Sequence, residues 1–223
     1  YLPIAAALRR SLGPKASVLD VGSGAEGIVP YTSNPCVLTD LCETEKALAL
    51  FVRARATALP FRDRSFDAVV SVDLLEHMPG AEREAALREF FRVARRMVVV
   101  AMPCGTAAEA HDRRLYEEAR ADNDLRRFLR EHIDNGLPSA EEVLRWVRAA
   151  AEALMPDYEL ITMGNANLTA RYWMMRGVVR ADTWGSIIRL RFWTPLIPLL
   201  TRWQRGECYR LIVLCRGKER SQA

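Results

Sequence analysis

The chain has 223 residues, half of them hydrophobic and 27% charged, which excludes a disordered chain and a coiled coil. Formal net charge is +4, and the five cysteines form no C-x-x-C pair, which argues against a disulfide framework or structural zinc site and for a reducing, cytoplasmic setting. No apolar run approaches the roughly 18 residues needed to span a membrane.

In chain order, residues 16–21 (ASVLDV) form a short apolar run ending at glycines, the pattern of a buried parallel strand. Residues 36–41 (CVLTDL), 66–72 (FDAVVSV) and 97–102 (MVVVAM) repeat it. Between the last two, Leu87, Phe90, Phe91 and Ala94 recur at helical spacing, so a helix is predicted over residues 80–95. Strands alternating with helices imply an α/β domain with a mostly parallel sheet covered on both faces. A polar stretch at 104–137 is predicted as a helical insertion after the fifth strand, helical between Glu109 and His132. Ser139 stands three residues before Glu142, a capping box that opens a helix over 138–154. Residues 158–163 and 209–215 (YRLIVLC) are the last two strands, and residues 164–207 between them form an insertion too long for a hairpin loop. All of 1–223 is expected to be a single domain.

The charge is uneven. Residues 171–220 hold eleven basic and three acidic residues, so this tail carries +8 and the remainder −4. Four of the five tryptophans, Trp173, Trp184, Trp193 and Trp203, lie in the same stretch. Such a mixture suits an anionic partner as well as a solvated arginine face over buried tryptophans. Within it, residues 187–203 (IIRLRFWTPLIPLLTRW) are too short and too proline-broken to cross a bilayer, but could lie at a membrane interface, line an apolar pocket, or pack on the sheet edge.

Residues 22–27 (GSGAEG) match G-x-G-x-x-G directly after the first predicted strand. Gly22 and Gly24 allow a tight turn and close approach of a ligand, and Asp40, 18 residues after Gly22, can accept from a ribose diol. These features suit a dinucleotide or an S-adenosyl nucleoside. Three details favour the latter. Asp20 would repel a pyrophosphate, Pro30 and Pro35 cut short the helix whose N-terminus would face phosphates, and the ALPF turn of residues 58–61 offers an apolar wall for adenine.

The run VLDVGSGAEG, Asp40, ALPFRDRSFDAVVSVDLLEHMP and the E-x-x-R-V of Glu89 to Val93 resemble the class I S-adenosylmethionine-dependent methyltransferases, and among them the small-molecule group that includes quinone-biosynthesis methylases. The resemblance spans about residues 12–103. It implies a Rossmann-like, seven-stranded, mostly parallel sheet with helices on both faces and an antiparallel last strand. It also implies the cofactor S-adenosyl-L-methionine. Gly22, Ser23 and Gly24 would pass under its methionine and ribose parts, with Asp20 nearby. Asp40 would hold the ribose hydroxyls, Leu41 would pack on adenine, Ala56 and Thr57 would meet the adenine edge, and Ser71 and Val72 would face the methionyl part. Arg55 stands where many relatives carry an aspartate that accepts from the adenine amine, and arginine has no acceptor.

The expected function is methyl transfer to a small or lipid-linked acceptor through an oxygen, hydroxyl or carboxyl. The alternatives are an RNA methyltransferase or an inactive cofactor-binding partner subunit. The lack of an NPPY-like base-amine motif weighs against nucleic acid. The catalytic candidates are His111 and His132, with Asp112, Tyr116 and Asp134 beside them in sequence, while His77 is read as facing the pocket or, in preference, as a cap of the following helix. No metal is expected, because no i,i+4 histidine pair or carboxylate cluster stands in the sequence. The localisation expected is cytoplasmic, with a peripheral membrane contact through the tail.

Overall fold

The computed structural model describes residues 1–180 and 206–218, apart from Glu43 and Glu45. Seven strands form, β1 Val18–Val21, β2 Cys36–Asp40, β3 Leu50–Arg53, β4 Phe66–Val72, β5 Ala94–Pro103, β6 Tyr158–Asn167 and β7 Cys208–Gly217. They join in one sheet of order β3-β2-β1-β4-β5-β7-β6. β1 to β5 pair in parallel, and β7 runs antiparallel to both β5 and β6. This is the expected Rossmann-like sheet with its antiparallel last strand. Each of the six strands read from the sequence forms. β3, a four-residue edge strand, was not read as a strand, although the apolar run of residues 47–52 leads into it.

The central strands read as continuous apolar runs because both of their faces are covered. Leu19, Val69, Val98 and Val213 face one layer, packed with Leu87 and Phe90 of α2 (Gly80–Val93) and Val147 of α5 (Ala140–Leu154). Val18, Val70, Val99 and Leu214 face the other, packed with Ile4 and Leu8 of α1 (Leu2–Leu12). The α5 capping box is present: Ser139 Oγ accepts from the Glu142 amide at 3.1 Å, and Glu142 accepts from the Ser139 amide at 2.8 Å. After Gly27 the chain makes only a 3-10 turn, Val29–Tyr31, as Pro30 and Pro35 require.

Two helical expectations change. α2 ends at Val93 because Ala94 is already extended and starts β5. The single helix expected over 109–132 is two, α3 Thr106–Glu118 and α4 Leu125–Asn135. Ala119 turns extended, and the Asn123 side chain accepts from the Leu125 amide at 3.0 Å to restart the helix. α4 thus folds back beside α3, and α6 (Leu168–Arg180) packs on both through Leu115, Leu129, Tyr172 and Val179.

Four of the tail's arginines are paired inside the molecule. Arg171 pairs with Asp112, Arg176 with Glu118, Arg210 with Asp73 and Arg216 with Glu159. Each acid lies outside the tail, so these four arginines link the tail to the acidic remainder and do not form a solvated face. The ridge at 187–203 and its tryptophans lie outside the described residues. Among the described residues no helix is long and apolar enough to cross a membrane.

Candidate functional site

The strand order reverses between β1 and β4, and in such sheets the crevice at the carboxyl ends of those strands is where ligands bind. A cleft of about 270 Å³ opens there, lined by Val21, Gly22, Thr39, Asp40, Leu41 and Ala54 to Thr57 on one side, and by Leu74, His77 to Pro79 and Glu82 on the other.

The glycine loop forms its floor. Gly22, Gly24 and Gly27 have φ of 74°, 58° and 50°, a region that costs other residues about 1–2 kcal/mol. A Cβ at Gly22 would meet the Leu74 side chain at 2.7 Å, and one at Gly27 would collide with the Asp20 carboxylate. The loop therefore needs glycine for its own packing. Asp40 orders its rim, accepting from the Gly24 amide at 3.0 Å and the Cys42 amide at 3.2 Å while staying partly exposed.

Asp20 is fully buried beneath the loop and is not among the lining residues. One oxygen accepts from the Ile28 amide at 2.7 Å, and the other has no partner among the described residues. Burial pushes its pKa up to about 7 against the opposing Ile28 hydrogen bond. Ser71, near the end of β4, and Thr39, near the end of β2, are also buried with hydroxyls that have no partner among the described residues. Val72 is buried beside Ser71, while Ser23 and Gly24 sit on the loop outside the cleft wall.

The wall at residues 54–61 is clamped by the E-x-x-R pair of α2. Glu89 accepts from the Leu59 amide at 2.8 Å, and Arg92 donates to Leu59 and Phe61 carbonyls at 3.0 and 2.8 Å and to Asp63 at 2.7 Å. Arg55 reaches Glu82 across the cleft at 3.6 Å. Sequence reasoning missed Glu82, which has no linear link to the loop.

The other wall carries a histidine–carboxylate group. Asp112 of α3 is fully buried and accepts from Tyr209 Oη at 2.6 Å and His132 Nδ1 at 2.7 Å, with Arg171 at 3.3 Å on its second oxygen. Burial alone would raise its pKa, but His111, His132, Arg171 and Tyr209 outweigh it and hold the carboxyl well below its usual value. His111 Nδ1 lies 2.9 Å from the Arg171 guanidinium, so it accepts there; burial, above all, lowers its pKa. His132 Nε2 faces His77 Nε2 at 3.3 Å, and His77 Nδ1 meets Glu131 at 2.8 Å.

His111 and His132 are thus brought to one carboxylate, His111 as its neighbour on α3 and His132 only because α4 folds back. His77 corrects its reading as a cap. Pro79 holds the α2 N-cap position without a side-chain bond, and His77 instead joins His132 and the cleft wall. Tyr116 and Asp134 are elsewhere, paired with Arg130 at the surface.

Residues 19–102 match the family described as a methyltransferase domain. No match is found among curated proteins. Among solved structures, a SAM-dependent methyltransferase from Thermotoga maritima is 15% identical, with TM-score 0.53, covering 94% of this chain and 86% of that one. The 1,6-didemethyltoxoflavin-N1-methyltransferase of Burkholderia thailandensis, solved with that substrate and S-adenosylhomocysteine, is 13% identical, with TM-score 0.54 and coverage of 97% and 77%. The [4+2]-cyclase SpnF is 15% identical, with TM-score 0.54 and coverage of 96% and 80%. Residues 19–102 thus carry a methyltransferase domain by their family match, and the sheet order is that of the Rossmann-like methyltransferase fold.

Proposed function

We propose that the chain transfers the methyl group of S-adenosylmethionine to an oxygen of a small or lipid-linked acceptor. The cleft suits the cofactor. The glycine turn at positive φ along its floor, the half-exposed Asp40 carboxylate and the orphaned Thr39 hydroxyl supply the room and the acceptors that a nucleoside and its amino-acid tail require. In this reading Gly22, Ser23 and Gly24 pass beneath it, and Asp40 takes the ribose diol. Leu41, Ala56 and Thr57 enclose adenine, and Ser71 and Val72 border the methionyl end. Asp20 acts from below, holding the loop through the Ile28 amide. Glu82 supplies the adenine-side acceptor that Arg55 lacks.

When bound, the cofactor supplies a methyl carbon activated by a positive sulfur; the chain's task is to hold the acceptor in line and manage its proton. The observation that carries the oxygen reading is His77 on the cleft wall opposite the adenine side, with His132 and Asp112 buried behind it. Imidazoles backed by carboxylates beside the cleft suit a hydroxyl, whose proton must leave, more than an amine with a free lone pair.

The test is transfer of labelled methyl from S-adenosylmethionine to matched panels of hydroxyl and amine acceptors. Label in hydroxyl acceptors supports the reading, and label confined to amines sinks it. Asp40→Ala is expected to weaken cofactor binding by about 1–3 kcal/mol in calorimetry, because charge-assisted ribose bonds are lost. Unchanged affinity would move the ribose elsewhere.

A further inference from the structure

Glu76 is the least explained residue in the molecule. It is fully buried in the 3-10 turn Leu75–His77, and both carboxylate oxygens lack any hydrogen-bond partner among the described residues. A buried carboxyl without a partner is costly, and several kcal/mol is the usual scale for an uncompensated charge. The nearby cations do not relieve it by contact. Arg210 is engaged by Asp73 through both nitrogens, and Arg83 donates to the carbonyls of Met78, Asn135 and Gly136.

What stands beside Glu76 is a pair of imidazoles. The ligand atoms of Glu76, His77 and His132 all lie within 4.8 Å of one another. Because Glu131 and Asp112 are acceptors, each histidine spends its Nδ1 proton on a carboxylate, at 2.8 and 2.7 Å. That leaves two Nε2 lone pairs aimed at each other across 3.3 Å, with the rings tilted by 55°. Two lone pairs do not face each other without something positive between them, a shared proton or a metal ion, and only an ion also takes up the unpartnered Glu76 carboxylate. Two nitrogens bound to one ion at about 2.0–2.1 Å with a tetrahedral angle stand roughly 3.3 Å apart, which is the spacing observed.

We propose that Glu76, His77 and His132 form a divalent transition-metal site, with His77 and His132 binding through Nε2, Glu76 through its carboxylate, and Glu131 and Asp112 as the carboxylates that fix the two rings. Two imidazoles and one carboxylate suit zinc or iron(II) more than magnesium or calcium, which prefer oxygen. Imidazole Nδ1–H held by a carboxylate is the usual support for a metal-binding histidine. The expectation of no metal rested on linear spacing. The fold supplies the cluster from residues 55 apart. Since His77 also lines the cleft, the ion would offer an acceptor oxygen a fixed cationic partner at its wall, and His132 would be a ligand and not a base. That role deepens the proposed methyl transfer to oxygen and rests on it, whereas ion binding itself does not.

The test uses the full chain stripped with chelator and titrated with cobalt(II), then with zinc(II) in competition with a chromophoric chelator. One ion per chain is expected, with visible cobalt bands of nitrogen and oxygen ligation, no thiolate charge-transfer band, and a zinc-dependent rise in melting temperature. Glu76→Gln, which keeps the buried volume, should weaken zinc by at least tenfold and leave the metal-free protein as stable or more so. His77→Gln, at a half-exposed position, should do the same to zinc. No cobalt bands in the wild-type chain, or unchanged zinc affinity in both variants, would overturn the site. S-adenosylhomocysteine calorimetry on the same samples separates the readings. Cofactor binding without metal binding removes the site alone, and metal binding without cofactor binding removes the methyl-transfer reading alone.

Discussion

The two walls of the cleft are built in different ways. The glycine-loop wall is made largely of backbone and of contacts between neighbouring strand ends. Thr39 accepts from the Gly22 amide at 2.8 Å, and Asp40 from the Gly24 amide at 3.0 Å. The histidine wall is made of side chains that meet from five elements, with Asp112 joining α3 to α4, α6 and β7, and His77 entering from the turn after β4. The first wall tolerates sequence change wherever the backbone path is kept, and the second fails when one central group is lost. A short local motif is enough for the first, whereas the second has no motif at all.

The largest effect expected from this contrast is at the hub. Asp112→Asn should cost about 3–5 kcal/mol of stability, since His132, Tyr209 and Arg171 lose a shared buried anion. Asp112 also has its folded pKa lowered, so the stability it contributes is present above its unfolded value near 4 and is lost as the pH falls below it. Chemical denaturation at pH 2.5 and pH 7 should therefore show a smaller difference in the variant than in the wild type. An equal difference would remove Asp112 from the centre of that wall.

Gly22→Val comes next. The added Cβ meets Leu74 at 2.7 Å and is strained at φ 74°, so about 3 kcal/mol of stability should be lost together with measurable cofactor binding. The clash is with the opposite cleft residue, not only with a ligand, so the apo protein is destabilised too. A variant with normal apo stability would break the packing account of this loop.

Asp20→Asn tests the opposite pH signature. Its folded pKa is raised to about 7, so the stability from the protonated form is present below about 4 and is lost as the pH rises towards 7. The variant should gain on the wild type by about 2 kcal/mol at pH 8 relative to pH 5, provided the amide oxygen keeps the Ile28 bond. Cofactor affinity should be little changed, because Asp20 does not line the cleft; a large loss would return it to the binding face.

The smallest effect is at Glu82. Glu82→Gln should leave stability nearly unchanged, since its pair with Arg55 is exposed, and should weaken cofactor binding a few-fold by calorimetry. Identical affinity would leave adenine recognition to the backbone of residues 54–57.

Much of the first wall was legible. An apolar run ending in G-x-G-x-x-G, with an aspartate one strand later, states where a parallel strand stops and which side of the sheet opens, because these are local consequences of backbone sterics. Glu89 and Arg92 were legible as a motif but not as a clamp, since their partners are carbonyls and an amide near residue 60, which carry no side-chain signal. β3 was passed over although residues 47–52 form an apolar run, because that run lacks the flanking glycine or turn signal that marks the other strands. In the charged tail, Arg171, Arg176, Arg210 and Arg216 each meet an acid elsewhere in the fold, pairings that no sequence spacing shows.

By itself the sequence determined the sheet, its covered faces, the glycine turn and the α5 cap, because hydrophobic period, glycine φ and capping chemistry act over a few residues. Only the tertiary structure decided which titratable groups work together. Asp112 and His132 are 20 residues apart and would stand about 30 Å apart on one straight helix. The break at residues 119–124 turns α4 back on α3 and brings His132 Nδ1 to 2.7 Å from the Asp112 carboxylate. A single Asn-assisted turn thus sets a distance that no spacing rule contains, and with it whether His77, Glu76 and His132 can share a ligand.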